Sequence, residues 1–425
     1  MARILRRIFI AAAVLAGLLI VVAAGGFLFL RQGPAGGVLS LFADGQRADN
    51  FRALHEALPS HPVAAGGDVW AFDRDERQLP KRYAFEGEER SLVDLLRASE
   101  TTGLLVARDG VILHEAYYQG YDERSLATSF SVAKSFTSAL VGIALDRGQI
   151  RSIDDAISDY VPELVDSGYE GVAIRDVLTM SSGIAFDEDY ARVGSDVMQL
   201  PLRLFVLRQP VVEVLRRLPR ARAPGTAHHY ASSDAIALGL LLRRATGQSV
   251  ARLLEEAIWR PAGMESDAAW GTDLHGQALT YAFLGATLRD YARFGRLYLN
   301  EGRRDDLQLV PAAWVADSVG LGVRSPALGS GVAGSEAGFA PGFGAGFGYG
   351  YQWWVPDGDE EDFLAMGIWG QFVYVNPGHR IVIVKTSTDP DFAGRTRETV
   401  AAFRAIARAW GEDADVAQTA ERGSR

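Results

Sequence analysis

The strand-forming segments of this chain stand at two widely separated places in the sequence. The run "GLLVARDGVILHEAYY", which begins at Gly103, predicts a β-hairpin because Asp109-Gly110 supplies turn residues between two apolar stretches. Three further strand-like runs, "YQWWV", "FLAMGIWGQFVYV" and "RIVIVKTS", follow only after Gly350. We therefore expect an α+β fold. Its antiparallel sheet draws strands from both parts of the chain and is flanked by helices, and a mostly helical subdomain is inserted over about 151–275.

The helices of this scheme are predicted from apolar spacing and from end signals. One runs from about Ser131 to Arg147, because apolar residues recur at helical spacing and Gly148 follows. Another begins near Thr287 and closes at Gly302, and a terminal helix covers about Arg395 to Trp410.

Segments outside this domain are assigned by composition. Residues 8–30 carry no charge and follow Arg3, Arg6 and Arg7, so 1–30 is predicted to be a single-pass anchor in the cytoplasmic membrane. By the positive-inside rule the rest of the chain then lies on the outer, periplasmic side. A cleaved signal peptide is the alternative.

Residues 31–65 are interpreted as a tether, 66–411 as the folded domain, 329–350 as a Gly/Phe-rich loop and 412–425 as a disordered tail.

Composition excludes several functions. The net charge of -10 leaves no positive excess to bind phosphates, so nucleic acid is not an expected partner. Cysteine is absent, which removes thiolate chemistry, and no His pair has the spacing of a metal site. The expectation is a chain without metal or cofactor that acts on a small molecule.

Lysine is scarce in this chain. Of 43 basic residues only Lys81, Lys134 and Lys385 are lysine. Arginine stays charged at any useful pH, so a retained lysine indicates a position where a proton must be given up. Lys81 and Lys385 are interpreted as ordinary surface residues.

Ser131 and Lys134 form an S-x-x-K pair at the start of the first long helix. Three residues apart, they project from the same face of one turn. A serine hydroxyl becomes a nucleophile when a base removes its proton, and a lysine serves as that base when burial lowers its pKa. The alternative is that Ser131 only caps the helix and Lys134 is solvated.

Tyr230 lies in "HHYASSDAIALGLLL", in a loop just before another apolar helix. A phenol beside a serine and an amine acts as a phenolate base or relays a proton to a leaving group. Taken alone it is also an ordinary loop aromatic. Asp187, Glu188 and Tyr190 form a polar cluster that we interpret as a solvated loop, with binding of a substrate amine as the alternative.

Three segments together resemble the motifs of the penicillin-recognising serine hydrolases. They are "SFSVAKSFTSALVGIALDRG", "HHYASSDAIALGLLL" and "AMGIWGQFVYVNP", in that order. The chain is most similar to class C β-lactamase-like proteins of the 6-aminohexanoate-dimer hydrolase and esterase branch, over about 101–410. The resemblance implies a β-lactamase/transpeptidase-like fold, with Ser131 as the acylated nucleophile, Lys134 as its base and Tyr230 as proton relay.

The resemblance also implies the groups around the nucleophile. The oxyanion hole would be the backbone amides of Ser131 and of Ile368, the residue after Gly367, with Gly370 and Gln371 as the competing register. Ser232, Gly367, Trp369 and Gln371 would contact substrate. The aromatic residues Trp353, Trp354, Trp369 and Phe372 would line an apolar cleft or, by default, pack in the core.

Two departures from the family pattern bear on the substrate. Ala365-Met366-Gly367 lacks the cation and hydroxyl that hold a substrate carboxylate, and Ser232 replaces the Asn of Y-x-N. The expected function is hydrolysis of an amide or ester through an acyl-enzyme. A carboxylesterase or weak β-lactamase, and a catalytically silent scaffold or cell-wall sensor, are the alternatives.

Overall fold

A computed structural model describes residues 41–320 and 346–423, with side chains described as far as Gly411. The predicted anchor, residues 1–30, and most of the Gly/Phe-rich loop lie outside the described residues. Within them the strands, β1 to β16 in chain order, are Ser60–Val63, Asp73–Arg74, Arg82–Phe85, Glu88–Ser91, Thr101–Arg108, Val111–Tyr117, Ala127–Thr128, Ala268–Gly271, Leu284–Ala286, Arg303–Arg304, Leu307–Gln308, Gly348–Tyr349, Trp354–Val355, Phe363–Gly367, Gln371–Asn376 and Ile381–Ser387.

The α-helices of the described residues are labelled α1 to α12. They are Arg47–Arg52, Leu54–Ala57, Leu92–Ala98, Ala133–Asp146, Ile174–Leu178, Asp196–Pro201, Val211–Leu215, Ser232–Thr246, Val250–Leu254, Leu288–Leu299, Ala312–Val319 and Phe392–Gly423. Short 3₁₀ turns cover Phe130–Val132, Ile157–Asp159 and Pro162–Leu164, and π-helical turns cover Leu202–Val206 and Glu255–Trp259.

The main sheet joins strands from both parts of the chain, as predicted. Its order is β12-β13-β14-β15-β16-β5-β6-β2, and β16 pairs antiparallel with β5. The hairpin β5–β6 and the meander β14–β15–β16 are antiparallel. The hairpin turn has φ of +47° at Asp109 and +83° at Gly110, the backbone that an Asp-Gly turn favours.

Helices cover both faces of this sheet. Side chains alternate along β16, so Val382 and Val384 join one buried cluster while Ile381 and Ile383 join the other. Helix α10 packs on the first face, where a Cβ at Gly295 would lie 2.6 Å from Val382 Cγ1, so glycine allows the close approach. Helix α12 packs against β16 and β3. The long insertion between β7 and β8 is mainly helical.

Two boundary predictions are wrong. The tether was expected to extend to residue 65, yet α1 and α2 form within it, and β1 pairs antiparallel with β8. The tail was expected to be disordered from 412, yet the backbone of α12 is helical to Gly423. The first segment contains apolar residues, among them Phe51 and Leu54, that remote parts of the chain bury, so its packing became visible only with those partners in place.

Candidate active site

Ser131 lies in the 3₁₀ turn Phe130–Val132, directly before helix α4. Phe130, the residue before it, has φ of +41°, which is uncommon for a bulky side chain. Neither the turn nor the helix has a side-chain cap. The interpretation of Ser131 as a helix cap is therefore wrong, and its hydroxyl is available to the groups around it.

Lys134 places its amine beside that hydroxyl. Its Nζ lies 2.8 Å from Ser131 Oγ and donates to the carbonyl oxygen of Tyr281 at 2.9 Å. The side chain is 1% exposed, so the solvated alternative is wrong as well. Burial lowers the pKa of Lys134 to about 7, against the negative charge of Glu188, which raises it. A substantial neutral fraction, able to accept a proton, is thus present near neutral pH.

Tyr230 reaches the same point from the loop before α8. Its hydroxyl forms a hydrogen bond with Ser131, and its ring centroid is 5.0 Å from Lys134 Nζ. The indole of Trp354 stacks on the phenol at 5.5 Å. Burial raises the pKa of Tyr230 well above its usual range, with the charge of Glu188 acting the same way. The phenol therefore keeps its proton at neutral pH.

Glu188 is a buried carboxylate next to this group, and the sequence predicted the residue but not its burial. It is 0% exposed rather than part of a solvated loop. Its oxygens accept from the amide nitrogen of Ser232 at 2.8 Å, from the hydroxyl of Ser232 at 2.6 Å and from the hydroxyl of Tyr190 at 2.7 Å. Ser232, predicted to contact substrate, is itself fully buried and donates its hydroxyl proton to Glu188.

Gly367 brings the end of β14 against the turn of Ser131. A Cβ built at Gly367 would lie 2.5 Å from the carbonyl oxygen of Ser129 and 3.0 Å from the amide nitrogen of Ser131. At the competing position, Gly370, a Cβ would meet Ser387 Oγ at 2.4 Å and Lys385 Nζ at 3.4 Å instead. Gly367 is thus the glycine that borders Ser131, and Ile368 is the residue that follows it.

The turn after Gly367 is held by buried polar groups. Ser387 Oγ donates to the carbonyl oxygens of Trp369 at 2.7 Å and Gly370 at 2.9 Å, and Lys385 Nζ donates to Ser387 Oγ at 3.0 Å. Gln371 Nε2 donates to the carbonyl oxygen of Ser387 at 2.6 Å. Gln371, predicted to contact substrate, thus uses its amide to join the turn to β16.

Lys385 is not the surface residue that was expected. It is 1% exposed, and burial lowers its pKa to about 8. The signal lay in the sequence, because this lysine directly follows the apolar strand residues "IVIV" in a chain that avoids lysine.

The predicted aromatic cleft divides between both faces of the sheet. Trp353 is buried among Phe294, Tyr298 and Phe363, while Trp354 stacks on Tyr230. Phe372 packs against Phe403. The default interpretation as core residues holds for Trp353 and Phe372.

Among the described residues, no group of three or more His, Asp or Glu side chains is placed to hold a metal ion.

A buried serine hydroxyl in contact with an amine and a phenol, on this sheet-and-helix scaffold, defines a serine hydrolase. The β-lactamase family pattern matches residues 73–406. The chain is 31% identical over 355 residues to the 6-aminohexanoate-dimer hydrolase of Paenarthrobacter ureafaciens, an alignment that covers 80% of this chain and 85% of that protein. It therefore belongs to the β-lactamase family.

Two further similarities agree with this membership. A D-aminopeptidase of Brucella anthropi is 32% identical over 142 residues, which is 32% of this chain and 25% of that protein. The solved structure "Putative 6-aminohexanoate-dimer hydrolase from Bacillus anthracis" superposes with a TM-score of 0.75 at 22% identity, covering 88% of this chain and 96% of that one. This second likeness shows a shared fold, as the resemblance implied.

Proposed function

We propose that this protein hydrolyses a small amide or ester through an acyl-enzyme on Ser131, with Lys134 as base and Tyr230 as proton relay. The observation that carries the proposal is the 2.8 Å contact between Ser131 Oγ and a buried Lys134 amine whose pKa is lowered to about 7. An amine at its usual pKa of ~10.4 would be almost entirely protonated at neutral pH and unable to act as a base.

In acylation, the neutral Lys134 amine takes the proton of Ser131 as Oγ bonds to the substrate carbonyl carbon. The carbonyl oxygen becomes an oxyanion, which the amides of Ser131 and Ile368 stabilise. The bond to the leaving amine or alcohol then breaks. Tyr230 gives its proton to that group and regains one from the Lys134 ammonium.

In deacylation, water attacks the acyl carbon, and the neutral Lys134 amine accepts the proton of that water. The bond to Ser131 Oγ breaks, and the serine regains its proton. One substrate and one water thus yield an acid and an amine or alcohol, and the three side chains return to their starting states. No cofactor takes part in these steps.

The third motif argues against substrates that depend on a carboxylate clamp. Ala365 and Met366 are buried, apolar and without a group that binds a carboxylate. We therefore favour a linear amide or ester over a β-lactam or a D-alanyl peptide. The similarity, over 80% of this chain, to a protein named as a 6-aminohexanoate-dimer hydrolase supports the amide.

We also propose that residues 8–30 anchor the chain in the cytoplasmic membrane, with the hydrolase on the outer side. The support is the uncharged run and the three arginines before it. This run precedes the described residues. In the part of the chain that the structure describes, no helix is both long and apolar enough to cross a bilayer.

A fluorophosphonate probe tests the nucleophile directly. It should label the wild-type protein at Ser131 and fail to label Ser131→Ala, as read by intact mass and peptide mapping. Ser138→Ala, in the helix that follows Ser131, is the matched control, because the buried Ser138 hydroxyl has no hydrogen-bond partner among the described residues. Unlabelled wild type would instead favour the silent scaffold, and label retained in Ser131→Ala would place the nucleophile elsewhere.

The pH dependence tests the base. We expect kcat/KM to fall as pH drops below about 7, because the protonated Lys134 amine cannot accept the serine proton. The charge of Glu188 raises the pKa of Lys134, so Glu188→Gln should lower that pKa and move the acid limb to lower pH. Profiles of kcat/KM from about pH 5 to about pH 9 would measure the shift.

The control for this shift is Glu213→Gln, which removes a surface carboxylate paired with Arg216 at 2.9 Å. Its profile should coincide with that of the wild type. An acid limb that stays in place in Glu188→Gln, or moves to higher pH, would contradict the electrostatic role of Glu188.

A further inference from the structure

The segment 41–58, here called the N-terminal strap, packs directly on the catalytic turn. It contains helices α1 and α2, and Phe51 and Leu54 are buried in the core of the protein. Helix α1 contacts β7, the short strand that leads into Ser131. A tether would make no such contacts, so the strap belongs to the hydrolase domain.

Two strap phenylalanines form an aromatic cluster with residues on both sides of the oxyanion hole. The Phe42 ring stacks on Trp369 with 5.3 Å between centroids, and Phe51 meets Phe130 edge-on at 5.0 Å. Each also reaches the other partner, because Phe42 lies 6.3 Å from Phe130 and Phe51 lies 5.9 Å from Trp369. The four rings thus join the two chain segments that carry the oxyanion amides.

Phe130 and Trp369 are neighbours of those amides in sequence. Phe130 precedes the Ser131 amide, and Trp369 follows the Ile368 amide. Both have left-handed backbone, with φ of +41° and +63°. Bulky residues keep this conformation only where the surrounding structure holds them. The strap supplies part of that surrounding structure for both residues.

Arg47 reinforces the contact with Trp369. Its guanidinium lies 5.1 Å from the centroid of the indole, within the range of a cation–π interaction. Glu100 fixes the guanidinium with an ion pair at 3.2 Å, and it also accepts from the Thr388 hydroxyl at 2.7 Å. The next residue, Asp389, donates its amide proton to the carbonyl oxygen of Trp369 at 3.2 Å. The side chain of Trp369 is therefore held by Arg47, and the backbone of Trp369 is held by the amide of Asp389.

We propose that the N-terminal strap positions the two oxyanion-hole amides, and that Phe42 and Arg47 are positioning residues for the reaction. This inference rests on the proposed function, since it assumes Ser131 as nucleophile and the amides of Ser131 and Ile368 as donors. It links the segment that follows the predicted anchor to the rate of the chemical step.

The test uses Phe42→Ala in the full-length chain, because Phe42 is only half-buried and its loss leaves the core intact. We expect kcat on an ester to fall by about tenfold or more, with little change in KM, since misplaced donors weaken transition-state stabilisation more than substrate binding. Arg47→Met should act in the same direction. Phe42→Tyr, which keeps the aromatic ring, should hydrolyse the ester at the wild-type rate.

A thionoester analogue separates positioning from stability. Sulfur is a weak hydrogen-bond acceptor, so hydrolysis of the thionoester depends less on the two amides. Misplaced amides should therefore slow the ester more than the thionoester and lower the ratio of their rates. A loss of stability alone would slow hydrolysis of the ester and of the thionoester equally and leave the ratio of the two rates unchanged.

Phe72→Ala is the matched control, because Phe72 is also half-buried and lies near an arginine, at 5.2 Å from Arg293, but does not belong to the aromatic cluster. The proposal is overturned if the ester-to-thionoester ratio of Phe42→Ala and Arg47→Met equals that of Phe72→Ala. Full activity in Ser131→Ala would overturn the proposed function instead, so the two failures are distinguishable.

Discussion

Replacing Lys134 by arginine is expected to lower kcat/KM by a factor of ~10²–10⁴, the usual contribution of a general base. The reason is that a guanidinium keeps its proton at any pH at which the protein is folded. Arginine preserves the positive charge and most of the length of the side chain. A loss of activity would therefore report the missing proton acceptor rather than a missing charge.

The chain offers a matched control for this substitution in Lys81→Arg. Lys81 is exposed, so the same chemical change there should leave kcat/KM unaltered. Steady-state kinetics on one ester, with thermal unfolding to compare stability, would measure both variants. Near wild-type activity in a folded Lys134→Arg protein would show that Lys134 is not the base.

Replacing Gly367 by alanine is expected to lower kcat by a factor of ~10²–10³, the usual effect of losing one oxyanion-hole donor. The added methyl group would lie 2.5 Å from the carbonyl oxygen of Ser129 and 3.0 Å from the amide nitrogen of Ser131. Since both neighbours are backbone atoms, β14 and the turn of Ser131 must move apart. That movement separates the Ser131 and Ile368 amides.

Gly378→Ala is the control for this substitution, in the turn between β15 and β16. A Cβ there would meet only Asn376 Oδ1 at 3.5 Å, an ordinary contact, so activity and stability should stay close to those of the wild type. A Gly367→Ala protein with unchanged kcat would place the oxyanion hole at the competing register of Gly370 and Gln371.

Much of the fold followed from local patterns. Asp109-Gly110 between apolar runs predicted the hairpin, because this turn needs particular residues, and three strand-like runs after Gly350 predicted the remaining strands of the sheet. The motifs predicted Ser131, Lys134 and Tyr230, and the structure brings these three residues together. Their catalytic roles remain a proposal.

Other features depend on partners that are distant in sequence. The sequence predicts Glu188 as a solvated loop carboxylate, whereas in the folded protein it is surrounded by Ser232 and Tyr190, which donate hydrogen bonds to it. The sequence predicts Lys385 as a surface cation, whereas in the folded protein it is buried in the sheet, whose strand β16 is covered by α12. Residues 41–58 were assigned to a tether because the stretch 31–65 mixes polar and small residues, whereas the rings that pack on Phe51 come from two remote turns.

The amino-acid sequence by itself determined the kinds and order of the secondary-structure elements and which side chains carry reactive groups. These follow from periodicity, turn chemistry and motif, which are properties of neighbouring residues. Only the tertiary structure decided that the Lys134 amine is buried beside the Ser131 hydroxyl, that Tyr230 keeps its proton and that the strap packs on the turn of Ser131. Desolvation and ring packing exist only after distant segments exclude water between them, and the pKa of a buried amine is set by that exclusion.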